Sequence, residues 1–378
     1  MIVQRTSIPA GQQQARTRWG THASGEAFDR KKFPYLTEQA QQFMAQQALC
    51  MVAGLDLQDE LGGLLVVDTP GFVQILDEHT CLLKLDHHLA NTRLLQRLQH
   101  PSHNGQATHW GLFFICHPTR ERLCVHGTAE LLSSRPVDQP PPAHHSLWER
   151  LQHLISGRKG TVHCAQSTQA PEPLWIRVHV RQAFFHCAKY IRTCVPGLTS
   201  PVTESAAQKW HLPHLPGPQW CLTENIRAFL AEQLLCFLCT VDQDGQCAIN
   251  HRNGHPGFLA TLPPDAASPG GMIFLPDYSG NGAFEAIGNI FETDQAALLI
   301  PNYVAQLALS ISGAAHILES TDMQPALKRA CAGAERVVAL AVRHVEMQSG
   351  DWSVTLAYER ARAEGILSAG NHGTICHP

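Results

Sequence analysis

The residues Leu275–Ile290, LPDYSGNGAFEAIGNI, join an apolar run to a turn that is rich in glycine and asparagine. Both residue types tolerate left-handed backbone angles, so Ser279–Gly282 predicts a sharp turn whose backbone N–H groups can point the same way. Such a nest of N–H groups suits an anion. The alternative is an ordinary loop between a strand and a helix, which a four-residue motif does not exclude.

The chain contains 13 cysteines, of which Cys236 and Cys239 form a CxxC pair. There is no second CxxC, and these two residues lie in the apolar run LLCFLCTV. Reduced cysteine in such a setting behaves as a small hydrophobic residue. The spacing therefore favours buried thiols over a zinc or redox centre.

The 23 histidines are the other unusual feature of the composition. No HExxH or comparable ligand spacing occurs, so we interpret most of them as surface or hydrogen-bonded core residues. A haem or metal ligand among them stays open, because imidazole is the commonest such ligand. The conspicuous ones are His87, His88, His144, His145, His372 and His377.

The composition predicts a globular chain of about two domains. It has 378 residues, 44% hydrophobic and 16% charged. A formal charge of −4 argues against a general nucleic-acid or anionic-membrane surface, so a phosphate ligand would have to be held locally. We found neither a signal-peptide core at the start nor a run of about 18 apolar residues, which predicts a soluble, cytoplasmic protein without a nucleic-acid or membrane partner.

The chain repeats itself at an offset of 186 residues. FMAQQALCMVAGLD at 43–56 matches FLAEQLLCFLCTVD at 229–242, with six identical positions, since 229 − 43 = 186. The same offset places TPGFVQIL over HPGFLATL and VHGTAELL over ISGAAHIL. Three matches at one offset predict a tandem duplication.

Each copy predicts the same order of elements: a helix, several mostly antiparallel strands, a turn and helix, and two final strands around a turn at Gly127 or Gly313. The predicted last strands are PLWIRVHVRQAFF and RVVALAVRHVEMQ, and VTLAYERARAEGIL is predicted to be helical. Proline-rich SSRPVDQPPPAHH interrupts copy one. The predicted domains are an N-terminal arm (1–33), copy one (34–197), a Pro/His-rich linker (198–222), copy two (223–353) and a C-terminal arm (354–378).

The order TVDQDGQ, HRNGHPGFL, MIFLPDYSGNGAFEAIGNI, ALLIPNY and LSISGAAHIL resembles the pyridoxamine 5'-phosphate oxidase-like split-barrel flavoproteins. The likeness covers Glu224–Trp352 and, more weakly, Tyr35–Arg192, where HCAKYI is similar to a CPKYI-type motif with Ala188 in place of proline. It implies a mainly β fold of two tandem split β-barrels of the FMN-binding type, packed as a pseudo-dimer. A homodimer of such chains stays open.

The resemblance also implies a site. Ala283–Asn289 would begin a helix whose N-terminal N–H groups face the FMN phosphate, and an arginine would add a charge-assisted contact. By position in the motifs, the implied cofactor contacts are Arg252, Asn253, Tyr278, Ser279, Asn281 and Asn289 of copy two, with Lys189, Tyr190 and Arg192 of copy one.

Copy one departs from the family pattern. VVDTPGF has no arginine before its PGF turn, and Asp68 would repel a phosphate. HHLANTR keeps Asn91 and adds Arg93, while Arg120 and Arg122 precede the VHG segment. The hypothesis is a single good FMN site on copy two, completed by copy one; the alternative is that copy one is a degenerate scaffold.

The implied function is an FMN-dependent oxidoreductase acting on a small molecule, with NAD(P)H or an electron-transfer protein as donor, or oxygen as acceptor. His251, His255 and His186 are candidate proton donors, since a pKa near neutrality suits general acid work. The family's WxxxRLHxR-like pattern has no match beyond Trp352, so true pyridoxamine phosphate oxidation is not expected. The alternatives are haem binding or degradation and a non-catalytic flavin-binding protein.

Overall fold

The computed structural model describes residues 8–100, 108–134, 172–201 and 219–366. The first half contains helices α1 (Ala10–Trp19), α2 (His22–Asp29), α3 (Glu38–Ala45) and α4 (Arg93–Gln99), and strands β1 (Leu49–Leu55), β2 (Leu61–Val67), β3 (Val73–Asp77), β4 (Thr80–Leu85), β5 (Thr108–Cys116), β6 (Glu121–Leu132) and β7 (Leu174–Phe185). A 3₁₀ helix covers His87–Asn91.

The second half repeats this arrangement. It contains helices α5 (Glu224–Ala231), α6 (Glu285–Thr293), α7 (Pro325–Ala330) and α8 (Ser353–Ala363), and strands β8 (Leu235–Val241), β9 (Cys247–Asn253), β10 (Ala260–Leu262), β11 (Met272–Asp277), β12 (Gln295–Asn302), β13 (Leu307–Glu319) and β14 (Arg336–Ser349). The predicted last strands and the C-terminal helix correspond to β7, β14 and α8.

The two sheets share one topology. The first has the order β2-β1-β5-β6-β7-β4-β3, and the second reads β9-β8-β12-β13-β14-β11-β10 in the same direction. All strand pairs are antiparallel. The fold is mainly β, with two tandem split barrels, as predicted. We call the barrel of β1–β7 the first barrel and that of β8–β14 the second.

Local hydrogen bonds repeat at the sequence offset as well. The hydroxyls of Thr37 and Thr223 cap helices α3 and α5 in the same way. One carboxylate oxygen of Asp56 and one of Asp242 each accept two backbone N–H groups from the turn that follows. These polar pairs fix helix starts and hairpin turns, so the duplication extends to the contacts that set the chain path.

The prediction of turns at Gly127 and Gly313 is wrong. Both glycines lie inside long strands, at bulges where the register shifts next to them. A Cβ atom on Gly127 would lie 2.4 Å from the carbonyl oxygen of His179, and one on Gly313 would lie 1.9 Å from that of Ala341. A side chain would therefore collide with the neighbouring strand, which explains glycine at a bulge.

The barrels pack against each other through a shared apolar core. Phe113 of β5 and Phe237 of β8 are fully buried, with ring centroids 5.5 Å apart. Gly63 of β2 donates its N–H to Ser310 Oγ of β13 at 3.0 Å. A Cβ on Gly111 of β5 would lie 2.5 Å from the Cys247 carbonyl oxygen of β9. The close backbone approach makes one body of the two barrels, the predicted pseudo-dimer.

The CxxC cysteines are both free and fully buried. Cys236 packs in the core of the second barrel and Cys239 in the shared core, because side chains three apart on a strand point to opposite faces. No group of three or more His, Cys, Asp or Glu side chains in the described ranges could hold a metal ion. Within the same ranges no helix is long and apolar enough to span a membrane.

Several predicted features lie outside the described residues. They are most of SSRPVDQPPPAHH with His144 and His145, residues 202–218 of the linker, and the tail with His372 and His377.

Candidate functional site

A cavity of about 420 Å³ lies at the junction of the two barrels. We call it the junction cavity. The second barrel contributes Asn250–His255 of β9 and its following loop, and residues 276–287 around the predicted turn. The first barrel contributes Phe113, Arg122 and the segment after β7. Both copies therefore build the cavity.

The structure brings most of the predicted site residues to this cavity. It is lined by eight of the nine predicted cofactor contacts and by the three candidate proton donors: Arg252, Asn253, Tyr278, Ser279, Asn281, Lys189, Tyr190, Arg192, His251, His255 and His186. Asn289 is the exception. Its amide donates to Thr240 Oγ1 at 3.1 Å, and it lines a different cavity.

Arg122 organises the segment that the first barrel contributes. Its side chain donates from Nε and from a terminal nitrogen to the Cys187 carbonyl, at 3.0 and 2.8 Å, and to the Lys189 carbonyl at 3.1 Å. Arg122 is 9% exposed. The Arg122 guanidinium thus fixes the backbone of the segment that contains Lys189.

Tyr190 connects the two barrels directly. Its hydroxyl donates to the Ser279 carbonyl at 3.1 Å, and its own carbonyl accepts from the Asn253 amide. Arg192 adds a hydrogen bond to the Gly254 carbonyl at 2.7 Å. The φ of Tyr190 is +63°, a left-handed angle that is unfavourable for a residue with a bulky side chain. Such strain persists where the surrounding contacts enforce it, and it is frequent at binding sites.

Helix α6 starts later than predicted. It begins at Glu285 rather than Ala283, after Phe284 at φ +55°. The Ala283 N–H is bonded to Asn281 Oδ1 at 3.0 Å, so it is not free for an anion. The side chain of Asn281 closes the turn before the helix can begin.

Helices α1 and α2 contact this turn from the outside. The sequence predicted only an N-terminal arm for residues 1–33 and not these contacts. Arg16, 1% exposed, donates to the Ala283 carbonyl at 3.2 Å and pairs with Asp29 at 2.7 Å. Thr21 donates to the Gly282 carbonyl at 3.1 Å. Phe28 of α2 lines the junction cavity. The first two helices are therefore part of the site.

The junction cavity carries an excess of positive charge. Five cationic side chains and two carboxylates line it: Arg122, Lys189, Arg192, Arg252 and Arg336, with Asp277 and Glu285. Asp277 bridges Arg252 at 3.3 Å and Arg336 at 3.0 Å. One carboxylate thus orients two guanidinium groups, and the remaining positive charge favours an anionic ligand.

Two of the candidate proton donors, His186 and His251, are neutral, contrary to the expectation of a pKa near neutrality. Burial, reinforced by the positive charge of Arg122, lowers the pKa of His186 to about 3. Burial also lowers the pKa of His251 well below its usual value, and neighbouring His117 and Arg122 add to this effect. Neither is an imidazolium near neutral pH, so each can serve as a neutral hydrogen-bonding group but not as a strong acid. His255 is exposed.

Consecutive residues of β9 place unpartnered polar atoms at the cavity. Among the described residues nothing bonds to Asn250 Nδ2, His251 Nε2 or Arg252 Nε, although all three atoms are buried. Arg192 Nε is also buried and has no hydrogen-bond partner among the described residues. Buried polar groups without partners are costly, so a polar ligand in the cavity would satisfy groups that the folded chain leaves unpaired.

By the 186-residue offset, the junction cavity has a corresponding position in the first barrel. Helix α8 covers it, with Trp352 and Leu356 packed in the shared core and Thr355 Oγ1 donating to the Asp68 carbonyl at 2.8 Å. Arg93, which the sequence suggested as a basic group there, is paired with Asp56. In the described part of the chain, α8 therefore occupies the position of the first barrel that corresponds to the junction cavity.

The second half of this chain is similar to a known family. The family model for pyridoxamine 5'-phosphate oxidase matches residues 222–349. No curated protein matches the chain in sequence.

Solved structures with partial similarity include three bacterial proteins. HupZ of Group A Streptococcus is 15% identical over 34% of this chain and 94% of its own, with a TM-score of 0.26. A putative pyridoxamine 5'-phosphate oxidase of Lactobacillus delbrueckii is 15% identical over 41% and 98%, with a TM-score of 0.25. HutZ, a haem storage protein of Vibrio cholerae, is 10% identical over 34% and 94%, with a TM-score of 0.21.

Proposed function

We propose that this chain, whose residues 222–349 match the family model for pyridoxamine 5'-phosphate oxidase, is a flavoprotein that binds FMN in the junction cavity. The observation that carries the proposal is the cavity itself, which combines an excess of cations with unpartnered buried polar atoms. A phosphate group matches the positive charge, and the polar edge of a flavin ring matches the unpaired donors.

The phosphate end would lie at residues 278–282 and Arg252. The turn is rich in glycine, and a Cβ on Gly280 would have no neighbour closer than 3.9 Å, so the backbone there is open to a ligand. Arg252 is oriented by Asp277 and can offer its unpartnered Nε. Lys189, exposed on the segment that Arg122 fixes and with its ammonium 4.9 Å from the centre of the Tyr190 ring, adds a positive charge from the first barrel.

The ring end would lie deeper, against Phe113, Asn250 and His251. Phe113 offers a flat apolar face, while Asn250 Nδ2 and His251 Nε2 offer polar atoms that have no partner in the described chain. Bound FMN would supply hydride and single-electron chemistry. The protein's own part is to orient the ring, exclude water on the Phe113 side and supply neutral hydrogen-bonding groups.

We propose further that the protein is an oxidoreductase acting on a small molecule, with NAD(P)H or an electron-transfer protein as donor, or oxygen as acceptor. Tyr190 and Tyr278 line the cavity and are 54% and 37% exposed. Aromatic side chains at such an opening suit a flat substrate ring. His255, the exposed histidine of the three candidates, stays the proposed proton donor.

Haem is the second candidate ligand. The buried Nε2 of His251 has no partner among the described residues and lines the same cavity. Imidazole nitrogen is a common haem ligand. The absorbance of the purified protein distinguishes the two, because haem gives one intense Soret band that flavin lacks.

The redox proposal is tested by anaerobic titration with NADH and NADPH. We expect the visible flavin absorbance to bleach with one of them and to return when oxygen is admitted. A reconstituted flavoprotein that neither nicotinamide nor a reduced electron-transfer protein reduces, and whose chemically reduced flavin oxygen does not reoxidise, would contradict the oxidoreductase proposal. The non-catalytic flavin-binding function would then stand.

A further inference from the structure

A second cavity, of about 440 Å³, lies on the other side of Glu285 from the junction cavity. It is enclosed by the N-terminal helices, the bulge of the first barrel and the β8–β9 hairpin, and His126, Asp242 and Gln246 are among its lining residues. The proposed FMN function does not use this space. We call it the second cavity.

Two buried polar atoms at the second cavity lack partners among the described residues. They are His126 Nε2 and Glu285 Oε2, on side chains whose residues are 8% and 7% exposed. The other oxygen of Glu285 faces Lys32 Nζ at 3.5 Å, and Lys32 is also 3.3 Å from Asp29. Lys32 is thus shared between two carboxylates and leaves one oxygen of Glu285 unpaired.

The duplication provides a built-in comparison for Asp242. Its counterpart Asp56 accepts the same two turn N–H groups through one oxygen, and its other oxygen pairs with the guanidinium of Arg93 on α4. Asp242 also uses one oxygen for its turn. No described cation pairs with its other oxygen, because α6, the counterpart of α4, contains neither lysine nor arginine.

The surroundings of Asp242 are otherwise acidic. Burial is the main cause that raises the pKa of Asp242 to about 6; the hydrogen bonds from the turn oppose this shift, and the nearby charges of Asp244 and Glu292 add to it. The second cavity is lined by four carboxylates and three cations. Of these cations Lys32 is already paired, while Arg30 and Arg181 are exposed. A cation bound beside Asp242 would therefore fill the position that Arg93 fills in the first barrel.

We propose that the second cavity binds a small organic cation whose ammonium or guanidinium group pairs with Asp242, with Glu285 and His126 providing further hydrogen bonds. Such a ligand would satisfy three groups that the chain leaves unpaired. A guanidinium is the closest match, since the first barrel uses one on the equivalent carboxylate. Cation binding in the second cavity does not require FMN. A negative result for one of the two ligands therefore leaves the proposed binding of the other unaffected.

Isothermal titration of the full chain with butylguanidinium, butylammonium and 1-butanol tests the site. We expect the two cations to bind and the neutral alcohol not to bind. Absence of binding by both cations, or equal binding by the alcohol, would overturn the proposal without reliance on any variant.

A matched pair of variants locates the binding. Asp242→Asn keeps an oxygen for the two turn N–H groups and removes the charge, so we expect cation affinity to fall at least about 10-fold. Asp244→Asn removes an exposed carboxylate outside the cavity lining and should leave affinity within about 2-fold. Equal affinity for the Asp242→Asn and unmodified proteins would overturn the assignment.

Discussion

Replacing Arg252 with alanine is expected to weaken FMN binding by about 10- to 100-fold. A hydrogen bond to a charged group contributes about 1.5–3 kcal/mol, and about 1.4 kcal/mol corresponds to a factor of ten in affinity. Arg252 is one of the two guanidinium groups that Asp277 orients, and it lines the junction cavity together with the 278–282 turn. Asp277 would keep its bond to Arg336, so the fold should tolerate the change. Quenching of flavin fluorescence on titration measures the affinity.

Arg177→Ala is the matched control for this experiment. Arg177 is an arginine on a strand of the first barrel, paired with Glu130 at 2.6 Å, with its side chain 35% exposed and outside the junction cavity. Its loss should leave FMN affinity unchanged. If Arg252→Ala retained the affinity of the unmodified protein, the phosphate would not lie where we place it.

Replacing Phe237 with alanine is expected to lower the free energy of unfolding by about 3–5 kcal/mol, the usual cost of truncating a fully buried aromatic residue. Phe237 is completely buried in the shared core, where it meets Phe113 of the other barrel. The two barrels cannot rearrange freely to fill the space, because Gly111 and Cys247 already bring their backbones together. Equilibrium unfolding in urea measures the change.

Phe33→Ala is the control for the shared core, because Phe33 is 39% exposed and its partner ring is Tyr35 of the same segment. Its truncation should cost less than about 1 kcal/mol. A loss below about 1 kcal/mol for Phe237→Ala would mean that the barrels do not share this core in solution.

The duplication made the fold predictable from one sequence. Equivalent residues recur at a fixed offset because both copies form the same barrel. Examples are the buried strand residues Cys50 and Cys236 and the turn residues Asp56 and Asp242. Most of the residues predicted from the family motifs line one cavity, because short motifs at strand ends keep their position relative to their strands.

The predictions that were wrong concern structural features that depend on residues far apart in the sequence. A glycine in a turn and a glycine at a strand bulge look alike locally, so Gly127 was misassigned. The pKa values of His186 and His251 depend on burial between two barrels, which no local pattern contains. Asn289 lies one turn beyond Glu285 on α6, and only the packing of that helix on Thr240 shows which way it points.

The sequence pattern did not indicate some of the residues that the structure places at or near the two cavities. Arg16 and Lys32 belong to a stretch that composition alone identifies as an arm, yet Arg16 is buried against Ala283 and Lys32, half-buried, pairs with Glu285 of the second barrel. A basic residue flanked by apolar ones can equally lie on a solvated surface. Arg122 did stand out as a basic residue without a counterpart in copy two, and that inequality between the copies was the available clue.

We propose that two unequal barrels form one cofactor site per chain. The most direct test is the absorbance spectrum of the purified protein, followed by mass spectrometry and quantification of the molecule released on denaturation. We predict FMN at one per chain, because α8 closes the related position beside Asp68. Two FMN per chain would show that this position opens. A Soret band, or a protein that neither retains nor takes up FMN, would contradict the flavin site.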